Sequence, residues 1–295
     1  MNAESEARER VAQTSGTLFI VGTPIGNLED ITLRALRTLR DADLIAAEDT
    51  RHTRKLLSHY DIHTPMVSYH EHNKRMRTPE LIEKLKQGSQ IALVSDAGMP
   101  GISDPGHDLI VAALQERINV AMIPGPTSII SALGLSGLRT DRFCFAGFVP
   151  RKTGERERYL ERILEADGTT VLFESPNRLA TLLETIAKLA PIARIAVARE
   201  LTKKFEEVLR GTAAEVAAHF GRQKPRGEFV VMIEGGAEVP EGQGPKDKPA
   251  PRVLVETLMR EKGLSKKDAM RVAAKELGVS RREIYRTLLD NKPAE

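Results

Sequence analysis

Apolar positions along this chain fall into two alternating rhythms. Short unbroken apolar runs are each followed by a stretch in which apolar residues recur every three or four positions. The runs at 17–22, 44–47, 65–69, 91–94 and 119–123 read as strands. The stretches at 31–40, 53–60, 78–87, 109–117 and 127–135 read as helices; in the first, Ile31, Leu33, Ala35, Leu36 and Leu39 mark one face. Strand and helix in repeated alternation predict a mostly parallel sheet covered on both faces. A second unit starts near Phe143, with strands predicted at 169–174, 194–199 and 228–234 and helices at 154–166, 178–189 and 213–220. From Glu234 to Pro251 the composition turns to Gly, Pro and charge, as in a flexible linker. Beyond it, 252–261, 265–277 and 280–289 read as short helices, with Ser265 and Ser280 as N-caps and Gly263 and Gly278 as stops. The expected organisation is a disordered tail over 1–15, α/β domains over 16–138 and 139–236, a linker over 237–251, and a basic helix-turn-helix-like domain over 252–295.

The stretch 92–106, ALVSDAGMPGISDPG, is the centre of this pattern. It leaves a short apolar strand and breaks into a polar loop holding Gly98, Gly101 and Gly106, the stiffening Pro100 and Pro105, and the turn-forming Asp96 and Asp104. Open α/β sheets bind ligands just beyond the carboxyl ends of their strands. A ligand loop is therefore favoured over an ordinary tight turn. The first strand runs into GTPIGN, which is not GxGxxG, and no GxxxxGK[ST] occurs, which argues against an ordinary dinucleotide or P-loop site.

Composition narrows the field. The chain has 295 residues, 41% hydrophobic, with no Trp and one cysteine, Cys144. A disulfide framework within one chain and a multi-cysteine zinc site are excluded, and a reducing cytoplasm is the expected compartment. No apolar run approaches the roughly 20 residues of a membrane span. Net charge is +3, but between Lys246 and Lys292 there are 13 Lys and Arg against 7 Asp and Glu, so the positive charge sits in the tail.

Eight segments then carry a resemblance: VGTPIGNLEDIT (21–32), AEDTRHTRKLL (47–57), YHEHN (69–73), LVSDAGMPGISDPG (93–106), IPGPTS (123–128), FVPRK (148–152), FESPNRL (173–179) and RELTKKFEEVLRG (199–211). In this order they resemble the bacterial family that methylates the 2′-hydroxyl of a cytidine in 16S ribosomal RNA. That family is a branch of the tetrapyrrole-methylase superfamily, the class III S-adenosylmethionine-dependent methyltransferases. The resemblance runs from Thr17 to Gly235 and more weakly through the tail. It implies two α/β domains with S-adenosyl-L-methionine in the cleft between them, a homodimer, and the small ribosomal subunit as partner. It also implies cofactor contacts from Pro24, Asp96, Ala97, Gly98, Ile102, Ser103, Thr127 and Ser128, and from strand-end backbone around Phe173, Glu174, Leu201 and Gly227. For Pro24 a plain turn, and for Ser128 a helix N-cap, are the alternatives.

A ribose hydroxyl is a poor nucleophile, so a general base would help. The candidates put forward are Glu48, Asp49 and His70, with Glu71, His72, Lys203 and Lys204 behind them. His70, Glu71 and His72 read equally well as a loop network or a phosphate contact. Glu48 and Asp49 with Arg51 read equally well as an internal ion pair. No metal site is expected, because no third ligand stands at convincing spacing. The candidate RNA contacts are Arg51, Arg54, Lys74, Arg75, Arg77, Arg151, Lys152, Arg178, Lys203 and Lys204 around the cleft, and Lys266, Lys267, Arg281, Arg282 and Arg286 in the tail. Two rival functions stand beside RNA methylation: a methylase of small tetrapyrroles, and a non-enzymatic nucleic-acid-binding sensor. The basic tail argues against the former, since a small-molecule enzyme has little use for it.

Overall fold

The computed structural model describes residues 15–221, 225–236, 251–277 and 284. The chain divides into two units, residues 1–237 and 238–295, taken separately below. The expected tail (bar residue 15), nearly all of the linker and the third tail helix, with Gly278, Ser280, Arg281, Arg282 and Arg286, lie outside the described residues.

The first sheet holds β1 (Thr17–Val21), β2 (Leu44–Ala47), β3 (Met66–Ser68), β4 (Ile91–Val94) and β5 (Asn119–Ile123) in the order β3-β2-β4-β1-β5. Every pairing in it is parallel, as the alternation predicted. All four residues of β4 are buried, which is why it reads as a continuous apolar run and not as an alternating one. Helices α1 (Leu33–Asp41) and α2 (Thr50–His59) cover one face through Ala35, Leu36, Leu39, Leu56 and Leu57. Helices α3 (Lys74–Lys86) and α4 (His107–Gln115) cover the other through Leu81, Leu85, Leu109 and Ala113. Helix α3 starts four residues before the predicted Thr78: its first turn, Lys74–Arg77, carries too little apolar periodicity to show in the sequence.

Helix α5 (Ser128–Ser136) leaves the first sheet and packs on the second. Its Ile129, Ala132 and Leu133 share a core with Val171, Ala196, Ala198, Val230 and Met232. Burying side chains of this size contributes about 1.5–3 kcal/mol each, so α5 fastens the two sheets into one body.

The second sheet holds β6 (Phe143–Phe148), β7 (Gly168–Glu174), β8 (Arg194–Arg199), β9 (Glu207–Thr212) and β10 (Phe229–Gly235) in the order β6-β7-β10-β8-β9. Helices α6 (Thr153–Glu165), α7 (Pro176–Leu189) and α8 (Ala213–Phe220) cover its far face. Only β6 and β7 pair in parallel; the other pairings are antiparallel. The sequence did not mark β6 or β9. Both are edge strands: β6 has a register shift between Phe145 and Phe148, and no residue of β9 is buried. β9 needs no apolar run, whereas β6 (FCFAGF) is apolar but is interrupted by Gly147 at φ +64°, which breaks the strand pattern.

In the tail unit, α9 (Pro251–Lys262) and α10 (Lys266–Leu277) form a small core from Val255, Leu258, Ala269, Met270 and Ala273, joined by Ile284. Ser265 caps α10 as expected, its hydroxyl accepting from the Asp268 N–H at 3.2 Å. No helix among the described residues is long and apolar enough to cross a membrane.

Candidate active site

The loops after β1, β4 and β5 meet the strand ends of the second sheet around a cavity of about 390 Å³. This is within the roughly 300–1,000 Å³ usual for small-molecule sites. The β4 loop is pinned to the β1 loop by a two-residue bridge. Thr23 N–H donates to the Gly98 carbonyl at 2.9 Å and Gly98 N–H returns the bond at 3.0 Å. Gly98 sits at φ +80°, open to glycine and costly for other residues. Ser103, at φ +62°, adopts the left-handed region without that licence, so the loop stores strain beside the cavity.

Of the residues expected to hold the cofactor, Ala97, Gly98, Ile102, Thr127, Ser128, Phe173, Glu174, Leu201 and Gly227 line this cavity. Pro24, Asp96 and Ser103 are immediate chain neighbours of lining residues. Thr127, not Ser128, is the N-cap position of α5, and its side chain makes no capping hydrogen bond. The Glu174 side chain is fully buried and turned into the protein: Oε1 accepts from Ser175 N–H at 2.8 Å, and Arg178 lies 3.4 Å from Oε2.

The three candidate bases lie outside the lining. Glu48 accepts from Asp96 N–H at 3.2 Å through Oε2. Burial is the main reason its carboxyl is raised, that hydrogen bond opposes it, and the Asp96 and Asp49 charges raise it further. Asp49 caps α2 by accepting from Arg51 N–H at 2.8 Å, and pairs with the Arg51 guanidinium at 2.7 Å, which holds its carboxyl far below the usual range. His70 is fixed by its N–H to Asn73 Oδ1 at 2.8 Å; its Nδ1 is buried without a hydrogen-bond partner, and its ring meets that of His72 edge-on at 6.0 Å.

Of the lining residues that the sequence reading did not name as cofactor contacts, Phe148 and Asp104 bear most on the chemistry. Phe148 lines the space and is 56% exposed, its ring 5.9 Å from that of Phe173. Asp104 lines it too, and burial followed by the charge of Glu48 pushes its carboxyl up to about 6. The sequence showed Asp104 only as a turn former; its place in the loop after β4 was the available signal.

The candidate RNA contacts divide. Arg54, Arg151, Lys152 and Lys204 are exposed, as are Lys266 and Lys267 in the tail unit. Arg51 is exposed although paired with Asp49. Arg178 donates to the Val149 carbonyl at 2.6 Å, Lys203 bridges Glu200 and Glu228, and Lys74 bridges Glu71 and Asp108. These three are braces between elements.

A family model for tetrapyrrole (corrin/porphyrin) methylases matches residues 17–217. The chain belongs to the tetrapyrrole methylase family. It is 47% identical to the Ribosomal RNA small subunit methyltransferase I of Synechocystis sp., covering 93% of this chain and 98% of that one. It is 43% identical to the protein of the same name from Bacillus subtilis, covering 92% of this chain and 93% of that one. Among solved structures, a uroporphyrin-III C-methyltransferase from Thermus thermophilus complexed with S-adenyl homocysteine superposes with a TM-score of 0.53 at 19% identity, over 74% of this chain and 97% of that one. A diphthine synthase superposes with a TM-score of 0.58 at 16% identity, over 75% and 90%. The α/β architecture of two sheets is thus the tetrapyrrole-methylase fold, and the chain is a methyltransferase.

The residues present fit S-adenosylmethionine. Phe173, Leu201 and Val230 offer apolar surface to an adenine, and the Asp104 carboxylate gives a sulfonium cation a negative neighbour. Ala97, Gly98 and Gly227 line the space with little or no side chain, which leaves their main-chain groups open to it.

Proposed function

We propose that this methyltransferase moves the methyl group of S-adenosylmethionine onto the ribose 2′-hydroxyl of a cytidine in 16S ribosomal RNA. The observation that carries the reading is the joint cavity of the β4 loop, the start of α5 and the strand ends of the second sheet, in a chain similar over nearly its whole length to ribosomal RNA small-subunit methyltransferases.

When bound, the cofactor supplies an electrophilic methyl group. This chain's residues do the rest by holding geometry. In-line transfer gains most from positioning, and the Thr23–Gly98 bridge and the strained turn at Ser103 fix the loop that carries the cavity wall. Apolar Ile25, Ile129 and Leu201 keep water from the space. Exposed Arg54, Arg151, Lys152 and Lys204 supply positive charge for phosphates, and Phe148 an exposed ring for a base. Cofactor contacts are assigned to Pro24, Asp96 to Gly98, Ile102, Ser103, Thr127, Ser128 and the strand ends at Phe173, Glu174, Leu201 and Gly227.

The same reading makes the working form a cytoplasmic homodimer with the tail unit (252–295) as an RNA-gripping appendage, separated by a linker from α/β domains over 16–138 and 139–236. The test is to map ribose methylation of small-subunit RNA from cells with and without this chain. The reading requires one cytidine to lose its methyl group. An unchanged methylation map, or labelled-methyl transfer to a tetrapyrrole in place of RNA, would overturn it.

A further inference from the structure

Three phenylalanine or tyrosine rings are exposed among the described residues: Phe143, Phe148 and Phe205. Phe148 lines the cavity. Phe205, the most exposed of the three at 68%, lies outside the lining, in the turn between β8 and β9. The chain holds that turn firmly although Lys204, Phe205 and Glu206 at its tip are all exposed. Glu200 at φ +50° and Thr202 at φ +64° both adopt the left-handed region, which strains a β-branched threonine most. Glu206 accepts from the Thr202 N–H at 2.6 Å, and the Asn27 N–H in the β1 loop donates to the Thr202 hydroxyl at 3.1 Å. Lys203 bridges Glu200 at 3.2 Å and the cavity residue Glu228 at 2.9 Å. Phe205 is thereby set at a fixed place relative to the cavity. The acids around it are already committed: Glu200 and Glu228 to Lys203, Glu207 to Arg199 at 3.5 Å, and Glu206 to the Thr202 N–H. Lys204 makes no ion pair among the described residues, and its ammonium stands 5.8 Å over the Phe205 ring.

We propose that Phe205 and Lys204 form a stacking platform for an unpaired base of the RNA strand beside the methylated nucleotide. The inference rests on the reading of this chain as a ribosomal RNA methyltransferase. An exposed aromatic ring with an unspent cation beside it matches one nucleotide, the base on the ring and the phosphate on the ammonium. The core of a protein interface is depleted of charge, whereas both chain neighbours of this ring, Lys204 and Glu206, are charged and exposed. The target ribose must reach the cavity, which Phe205 does not line, so the ring takes a neighbouring base and not the target cytosine. Every base has a face that stacks, so Phe205 holds the strand in place without choosing its sequence. It is a positioning residue.

The experiment uses the full chain with small subunits lacking the modification. Wild-type protein must first transfer a labelled methyl group to them; if it transfers none, the ribosomal RNA reading falls and the platform falls with it. Given transfer, Phe205→Ala raises KM for the subunits by about 5- to 150-fold, the range of one lost stacked base, with kcat at saturating subunits within about threefold of wild type. Phe205→Leu, which keeps an apolar side chain and loses the ring, shows the same loss, and Phe205→Trp keeps KM within about twofold. Calorimetric affinity for S-adenosylhomocysteine stays within about twofold in all three, because the ring does not line the cavity. A Phe205→Ala KM within twofold of wild type overturns the platform and leaves the methyl-transfer reading standing. So does a Phe205→Leu protein that performs as wild type does, since apolar contact alone then suffices. A loss of cofactor affinity equal to the rise in KM overturns it too. So does a Phe205→Ala protein that sediments as a smaller species than wild type, which assigns the ring to a contact between copies of this chain.

Discussion

The carboxylates of Glu48 and Asp96 hold each other's strand ends. Glu48 Oε2 accepts from the Asp96 N–H at 3.2 Å, and Asp96 Oδ1 accepts from the Asp49 N–H at 3.1 Å. Neighbouring strands β2 and β4 are thereby tied beyond their ladder, at the point where both chains turn toward the cavity. Burial is the chief cause of the raised Glu48 carboxyl, and the charge of the neighbouring Asp96 adds to it. Glu48→Gln keeps an acceptor at this place and removes the charge, so it leaves stability at pH 7 unchanged or higher. Glu48→Ala leaves the Asp96 N–H without its partner and lowers stability by about 1–3 kcal/mol, read by urea denaturation.

Stability itself carries the same signature. Asp104 is raised from its ordinary 3.8 to about 6, so the folded protein binds more protons than the unfolded chain between those values. Its contribution is therefore fully present below pH about 4 and lost as pH rises through about 6. Allowing for solvent screening of a partly exposed group, this amounts to about 1–2 kcal/mol. Denaturation midpoints of Asp104→Asn against wild type check it: the variant gains relative stability at pH 7 and loses that advantage at pH 4.5.

The first sheet was open to sequence reading because each of its central strands is buried on both faces and each is followed by an amphipathic helix. β2, β4 and β5 fall on their predicted bounds. The edge strands of the second sheet escaped: β9 (EVLRGT) has no buried residue, so nothing in its sequence needed to be apolar. The position of α5 escaped for another reason. Ile129 and Leu133 mark a buried face, but no periodicity says that the face meets Val171 and Val230 instead of its own sheet. The cofactor loops were legible from glycines and prolines, and Asp104 was not. A turn former and a cavity acid look alike until Glu48 and Asp96 arrive from other parts of the chain.

Gly98 offers a test of the loop's conformation apart from its packing. A Cβ there would meet nothing nearer than Ile25 Cγ2 at 3.5 Å, yet the residue sits at φ +80°. Gly98→Ala therefore costs conformational energy and no clash, about 1–2 kcal/mol. Part of that strain is relieved by loosening the Thr23 bridge, which moves the cavity wall. Melting temperature falls by several degrees, and calorimetric affinity for S-adenosylhomocysteine falls with it; unchanged affinity would separate the bridge from the site.

Charge on the cleft rim is separable in the same way. Arg151, Lys152 and Lys204 are exposed, whereas Arg178 is spent on the Val149 carbonyl and on Glu174. A basic residue that contacts a phosphate releases a counterion, and each such contact adds about 0.7 to the salt slope for single-stranded RNA. Replacing Arg151, Lys152 and Lys204 by Gln should thus weaken binding to small-subunit RNA and flatten its dependence on salt by up to about 2. Arg178→Ala should instead lower stability by about 2–4 kcal/mol, because it strips an ion-pair neighbour from a fully buried carboxylate, and leave the salt slope unchanged. Deleting 252–295 removes the exposed Lys266 and Lys267 with the rest of that basic unit, and should weaken RNA binding while cofactor affinity stays within twofold. A salt slope that drops with Arg178 and not with the exposed three would place the RNA on the other side of this brace.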